Sequence, residues 1–510
     1  MIGTAIVGGG LAGLALAAEL ADEGQEVLLF EARERLGGRV LTVADPGTGL
    51  ALDMGPAWYW PDQPLMAALV AKLGLSAVPQ HDGGSNLILR DAEGGPEPDG
   101  ADPVHGGALR VAEGLGAAVA GLAARVGAER IRPGHVLASV TDCGGHVRLG
   151  FADGSEAEAQ RVVLALPPRL IAETVRFEPE MPLERLAEMP TWMAPVAKAA
   201  VTWPGAPWRA EGQSGNATVT HDRAVLHETF DLSAPEGVPG ALGGFLALDP
   251  GTRAQFGAGL PMLISSQMTQ IFGKALEGGM PFFRDWAAEP FTCSARDLAD
   301  PAARRSAAPA FLRRAHWQGR LYFAGTETAG RDPGHMEGAL ESAERVLRQI
   351  ALAPPVRPAA EEEGLMGFAG WLEARETAAF DVYRHHLNQR LSRQQGTMVT
   401  RFAALDSVEA FFGEAIGVLS AVPFPEEEIG ADGARAEVVK HVGTMAKSFL
   451  NRHLGEILAF NRSSCALRNF PAEHELPVDY VQAILGDVSR AGGGFLAEVD
   501  GLLRARAAAA

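Results

Sequence analysis

"AIVGGGLAGLALAAEL", residues 5–20, decides the fold. Gly8, Gly10 and Gly13 fit G-x-G-x-x-G, a short apolar strand (Thr4 to Val7) precedes them, and an Ala/Leu stretch of helical character follows. That is the setting in which such glycines cradle a phosphate. Gly8 allows the tight strand-to-helix turn, Gly10 lets the backbone approach a pyrophosphate, and Gly13 lets the helix pack on the strand. The phosphate then rests on the helix N-terminus, where free N–H groups and the dipole favour negative charge. "EVLLFEAR", residues 26–33, supplies a second strand ending in Glu31, Ala32 and Arg33, with Glu31 at the distance where a carboxylate accepts from a ribose hydroxyl. A merely flexible apolar helix start would leave Glu31 unexplained.

Working outward, 510 residues with 47% hydrophobic content can bury more than one core. The 44 basic and 63 acidic residues give a formal charge of -19, which argues against nucleic-acid or anionic-membrane partners and for a small-molecule substrate. Three scattered cysteines (Cys143, Cys293, Cys465) suit neither a disulfide framework nor a thiolate metal site, and no metal is expected. No basic segment precedes the apolar start, and no stretch offers the ~20 uninterrupted apolar residues of a membrane span. A cytoplasmic protein is expected.

Strand-like and helix-like segments alternate up to about residue 350, an α/β pattern. "ALAPPVRPAAEEEGLM", residues 351–366, combines prolines with an acidic run and reads as a linker. Beyond it, apolar residues recur at helical spacing: Val408, Phe411, Phe412, Ala415, Ile416 and Leu419; Val438, Val442, Met445 and Phe449; Val481, Ile484, Leu485 and Val488. Asp406 with Glu409 three residues on reads as a capping box opening the first of these helices. Residues 367–510 are expected to be an all-helical domain. Its helices could bundle on the catalytic part, cover its entrance, or join subunits of a homo-oligomer. Its histidines His385, His386, His441 and His453 lack metal-binding spacing and read as solvent-facing or cap residues.

"ERLGGRV", with Gly37, Gly38 and Arg39 just after the acidic residue, looks like the flavin-binding extension of flavoprotein oxidases. From here the chain resembles the flavin-containing amine oxidase family, the group of monoamine, polyamine and L-amino-acid oxidases. Three further blocks carry the resemblance. "LDMGPAWYW" matches the segment beside the flavin through Asp53, Gly55, Pro56, Ala57 and Trp58. "RVVLALPPRLI" is the strand leading into the substrate domain, and upstream Val136 fits the position whose backbone meets the adenine. "GRLYFAGTETAGRDPGHMEGALESAERV", residues 319–346, is similar to the C-terminal FAD signature. In it Gly325 breaks a buried strand and Glu327 can bond cofactor hydroxyls or backbone. A helix opening at Met336 and running through Ala339 aims N–H groups at the flavin.

The resemblance implies non-covalent FAD and a Rossmann-like FAD-binding domain (1–60, 106–180 and 310–350). Interleaved with it would be an α+β substrate domain (61–105 and 181–309), and the helical domain would follow. It also implies an amine or amino-acid substrate, with O2 as oxidant and hydrogen peroxide as product. Lys198, flanked by Val196, Ala197, Ala199 and Ala200, matches the lysine that holds a water against flavin N5; burial would lower its pKa. Trp286 matches a tryptophan near the flavin, or is simple core packing. The two facing rings of the monoamine oxidases fall here at His335 and near Ala295 or Arg296, so that cage is absent or rebuilt. His335 is a polar ceiling, an acid/base group or a helix cap. Arg296 could pair with a substrate carboxylate. A flavin desaturase, a flavin-carrying binding or assembly protein working through its helical tail, and a redox-neutral flavin isomerase are the alternatives.

Overall fold

The computed structural model describes residues 1–300, 308–317, 319–351, 364–392, 398–422, 424–464, 467–468 and 470–509. The chain divides into two compact units, Met1–Ala307 with Phe323–Glu344, and Ala308–Tyr322 with Arg345–Ala510.

The first unit is built on β1 (Ile2–Val7), α1 (Leu11–Asp22) and β2 (Val27–Phe30). The two strands pair in parallel with Thr4 opposite Val27, as a crossover through a helix requires. Nine of the twelve residues of α1 are buried, from Leu11 to Ala18 and again at Leu20. Small side chains make this tolerable, and a helix apolar all round belongs inside a layered fold. β1 and β2 sit within a sheet whose strand order is Arg176–Glu178, Leu137–Asp142, Val147–Phe151, Glu156–Leu164, β1, β2, Ile131–Arg132. Beside Glu156–Leu164 the backbone of Ala324 donates to Leu164 (2.9 Å), which brings the late glycine turn at Gly325 to the carboxyl end of that strand, where β1 also ends.

A second sheet of seven strands runs Met280–Asp285, Ala197–Trp203, Gly240–Leu246, Leu226–Asp231, Gln213–Val219, Ser85–Leu89, Glu97–Asp99. Every residue of Ala197–Trp203 is buried, Lys198 included. Its register sets Lys198 opposite Phe245 on one neighbour and Arg284 on the other. Helix Pro64–Lys72 is fixed at its start by Glu337, which accepts from the backbone N–H of Leu65 (3.0 Å) and Met66 (2.9 Å).

The second unit contains the helices Ala310–Arg313, Gly364–Ser392, Val399–Ala421, Asp432–Ser463 and Val478–Ala509, with short helices Glu426–Ile429 and Pro471–His474 between them. Of the expected linker, residues 352–363 lie outside the described residues; Gly364, Leu365 and Met366 are already helix. Ala308–Tyr322 groups with this unit because Arg313 pairs with Glu409 (2.9 Å) and Arg314 with Glu498 (2.7 Å). The helical spacing holds through the core, where Phe411 stacks on Phe449 and Phe412 on Phe495. Leu485 departs from it and is exposed.

Two expectations for this unit are corrected. Asp406 and Glu409 do not open a helix; the helix starts at Val399, and buried Asp406 instead pairs with Arg348 (2.6 Å) and Arg390 (2.8 Å). Of the four histidines, His385 and His441 are exposed, but His386 and His453 are buried. Burial drives their pKa down, to about 3 for His386 and about 4 for His453, which therefore stay neutral. His453 Nε2 lies 2.8 Å from Ser407 Oγ. Among the described residues no cluster of His, Cys, Asp or Glu could hold a metal ion, and no helix is long and apolar enough to cross a membrane.

Candidate active site

A cavity of about 540 Å³ opens within the first unit. One end is the glycine turn. Gly8 has φ +112, and a Cβ there would collide with the Ala165 carbonyl oxygen; a Cβ on Gly13 would strike the Gly8 carbonyl. Gly10 is the N-cap of α1 and supplies no side-chain cap, and the first turn of α1 carries no acid. The helix therefore presents its N-terminal N–H groups to the cavity, where an anion can take them. Gly10 also bridges to Gly37, so close that a Cβ on Gly38 would lie 3.2 Å from the Gly10 Cα.

Glu31 is buried and its carboxylate fastens this turn: Oε2 accepts from Gly9 N (2.7 Å) and Oε1 from Arg33 N (2.9 Å). Each oxygen retains a lone pair for a hydroxyl in the cavity, which Glu31, Ala32 and Arg33 all line. The Arg33 guanidinium is committed to Glu289 (2.9 Å) and Thr292 (2.9 Å). Val136 lines the same region, its carbonyl bonded to Ala152 N.

At the other end stands Lys198. Its ammonium donates to the Gly55 carbonyl (3.0 Å) and lies 5.0, 5.3 and 5.8 Å from the ring centres of Trp58, Phe230 and Phe245. Burial lowers its pKa to about 7, against the pull of Asp53 and Glu228, which favour the charged form. Asp53 is pushed up to about 6 by its own burial, although Thr42 and Lys198 draw it down. Pro56, Ala57, Trp58 and Trp60 continue this wall. Trp286 is both packing and wall: it is buried, donates from Nε1 to the Met54 carbonyl (3.0 Å), and lines the cavity. His335 lines it at the entrance of helix Met336–Ala351, its N–H bonded to Asp332 O (3.1 Å); Gly325, Met336 and Ala339 line it too.

Three expected residues stand outside the lining. Gly13 acts one layer back, as packing demands. Glu327 does not face the cavity, because both its oxygens are taken by the guanidinium of Arg39, which does. Arg296 is exposed on the short helix Ala295–Ala299, which Ser294 and Asp297 cap reciprocally, and it does not line the cavity. The turn before that helix instead sends Pro290, Phe291 and Thr292 to the cavity. Sequence reasoning missed Phe230, Phe245, Trp192 and Phe291. Only the strand register, Lys198 opposite Phe245, could have signalled one of them.

The model of flavin-containing amine oxidoreductases matches residues 11–99 and 99–351. The chain belongs to this family. AofH of Mycobacterium tuberculosis, named as a flavin-containing monoamine oxidase, is 26% identical over 453 residues, covering 68% of this chain and 96% of that one. Amine oxidase A of Equus caballus is 27% identical over 232 residues, 44% of this chain and 42% of its own. Putrescine oxidase bound to putrescine shares the fold, with a TM-score of 0.56 at 19% identity over 69% of this chain and 99% of that one. The flavin amine oxidoreductase is an FAD enzyme, and its cavity fits that cofactor: an uncapped helix start for a pyrophosphate, a buried carboxylate for a ribose, and glycines where a Cβ would intrude.

Proposed function

We propose that the chain is an oxidase of amines with an apolar body, converting R-CH2-NH2, O2 and water to an aldehyde, ammonia and hydrogen peroxide. The observation that carries this is the buried Lys198 ammonium, boxed by Trp58, Phe230 and Phe245 at the cavity's apolar end. FAD, which the glycine turn and Glu31 would hold, would supply the hydride acceptor for the carbon next to nitrogen and the route of the electrons to O2. Lys198, with a pKa of about 7, holds or releases a proton at Nζ at working pH. Trp58 and Phe245, which line the cavity, exclude water and orient the substrate's apolar part, with Phe230 packed behind them. His335 closes the helix entrance as a polar ceiling.

An amine is favoured over an amino acid because the arginines that line the cavity, Arg33 and Arg39, are engaged by Glu289 and Glu327. A substrate carboxylate would have to break one of those pairs. Non-covalent attachment is supported at Cys293, which does not line the cavity and whose thiol burial pushes up to about 12, far from a reactive thiolate. We assign FAD binding to the sheet that carries β1, and substrate binding to the sheet that carries Lys198.

The test is anaerobic bleaching of the bound flavin by aryl and alicyclic monoamines, diamines and amino acids, followed by admission of air. Bleaching by the monoamines, with peroxide on reoxidation, is expected. Bleaching by amino acids alone, or by none of the panel, overturns the reading; the second result leaves the carbon-carbon desaturase.

A further inference from the structure

Behind the ring wall, outside the cavity lining, a histidine meets a carboxylate. His105 is buried in the loop between strands Glu97–Asp99 and Leu109–Val111, and its carbonyl accepts from Ala108 N. Its imidazole stacks face to face on the Trp58 indole, with centroids 3.7 Å apart and planes 12° from parallel, and meets Phe230 edge-on at 5.5 Å. Nε2 lies 2.9 Å from Glu228 Oε1. Glu228 and Phe230 are two residues apart on strand Leu226–Asp231, so they project from one face of the sheet.

Trp58 lines the cavity and His105 does not. The indole is held at its edge, where Nε1 donates to Gln80 Oε1 (2.9 Å), by Phe230 packed edge-on at 4.6 Å, and across one face by the imidazole. A hydrogen bond at a ring edge and an edge-on ring contact leave the plane some freedom to rock; a ring stacked face to face at van der Waals distance removes it. Histidine suits the task because a single side chain both stacks on the indole and brings a ring nitrogen to 2.9 Å from a carboxylate.

We propose that His105, set against Glu228, is a positioning residue that backs Trp58 and so fixes the wall facing Lys198 and the substrate's apolar body. This rests on the amine-oxidase reading. The experiment uses the FAD-loaded protein and its H105A, H105F and E228Q variants, with benzylamine as probe. Two readouts are followed: steady-state KM and kcat, and the near-ultraviolet circular dichroism band of Trp58, assigned as the difference from W58F. H105A is expected to raise KM about five-fold with little change in kcat and to flatten the Trp58 band. H105F, which keeps the stack, is expected to restore most of both, and E228Q to fall between. An unchanged KM and band in H105A, or an H105F as impaired as H105A, overturns the proposal. Should H105A not fold, H105F and E228Q against the parent carry the same test. If benzylamine fails to bleach the parent flavin, the amine reading fails by itself, and the dichroism decides on His105 alone.

Discussion

Arg39 and Glu327, 288 residues apart in sequence, meet in a bidentate pair with N···O distances of 2.6 and 2.9 Å. Arg39 also donates to the Trp192 carbonyl (3.1 Å), so one guanidinium ties the loop after β2, the segment before Lys198 and the late glycine turn. Glu327→Ala removes one partner of a largely buried pair and is expected to cost about 3 kcal/mol, with loss of FAD. Glu327→Gln should cost less, since it keeps one acceptor. Urea unfolding and flavin content after gel filtration check both.

The depressed pKa of Lys198 gives a stability effect of definite sign. Its folded value, about 7, lies below the unfolded value near 10.5, so between these pH values the unfolded chain holds the extra proton and stability rises with pH. Below pH 7 the buried charge costs on the order of 5 kcal/mol. Lys198→Met is therefore expected to melt above the parent at pH 6 and to lose that advantage by pH 10. Melting curves at pH 6, 8 and 10 that run parallel would refute the assignment.

Gly13→Ala places a methyl against the Gly8 carbonyl. The helix must lift from the strand, and FAD affinity is expected to fall by about ten-fold or more. Flavin fluorescence titration of the apoprotein measures it.

Arg296→Ala is expected to leave benzylamine kinetics within about two-fold, the range of an exposed substitution remote from a site. A ten-fold rise in KM would return this residue to substrate binding.

In the helical unit, Asp406→Ala strips a carboxylate from between Arg348 and Arg390. A loss of about 3–5 kcal/mol is expected, read as a lower urea midpoint by far-ultraviolet circular dichroism.

The glycine turn, Glu31, Gly55 and the Gly325 turn were legible in sequence because each is a local backbone demand: a turn, a close approach, a carboxylate at a strand end. Lys198 was legible because a lysine among alanines and valines contradicts a solvent-facing strand. Side chains whose roles depend on distant partners were not. Glu327 has the chemistry to bind a hydroxyl and is consumed by Arg39; Asp406 has the spacing of a cap and is consumed by two arginines. Phe245 reaches Lys198 only through strand register, which no local pattern states.

β1 is paired on one side by β2, made at once, and on the other by Glu156–Leu164, made more than a hundred residues later. The cavity wall at Gly325–Ala339 follows later still. On a ribosome, the phosphate turn at residues 8–13 thus waits, half-flanked and apolar, through most of synthesis. Cofactor capture is therefore expected late in synthesis, since a chain that ends before residue 325 lacks this wall of the cavity.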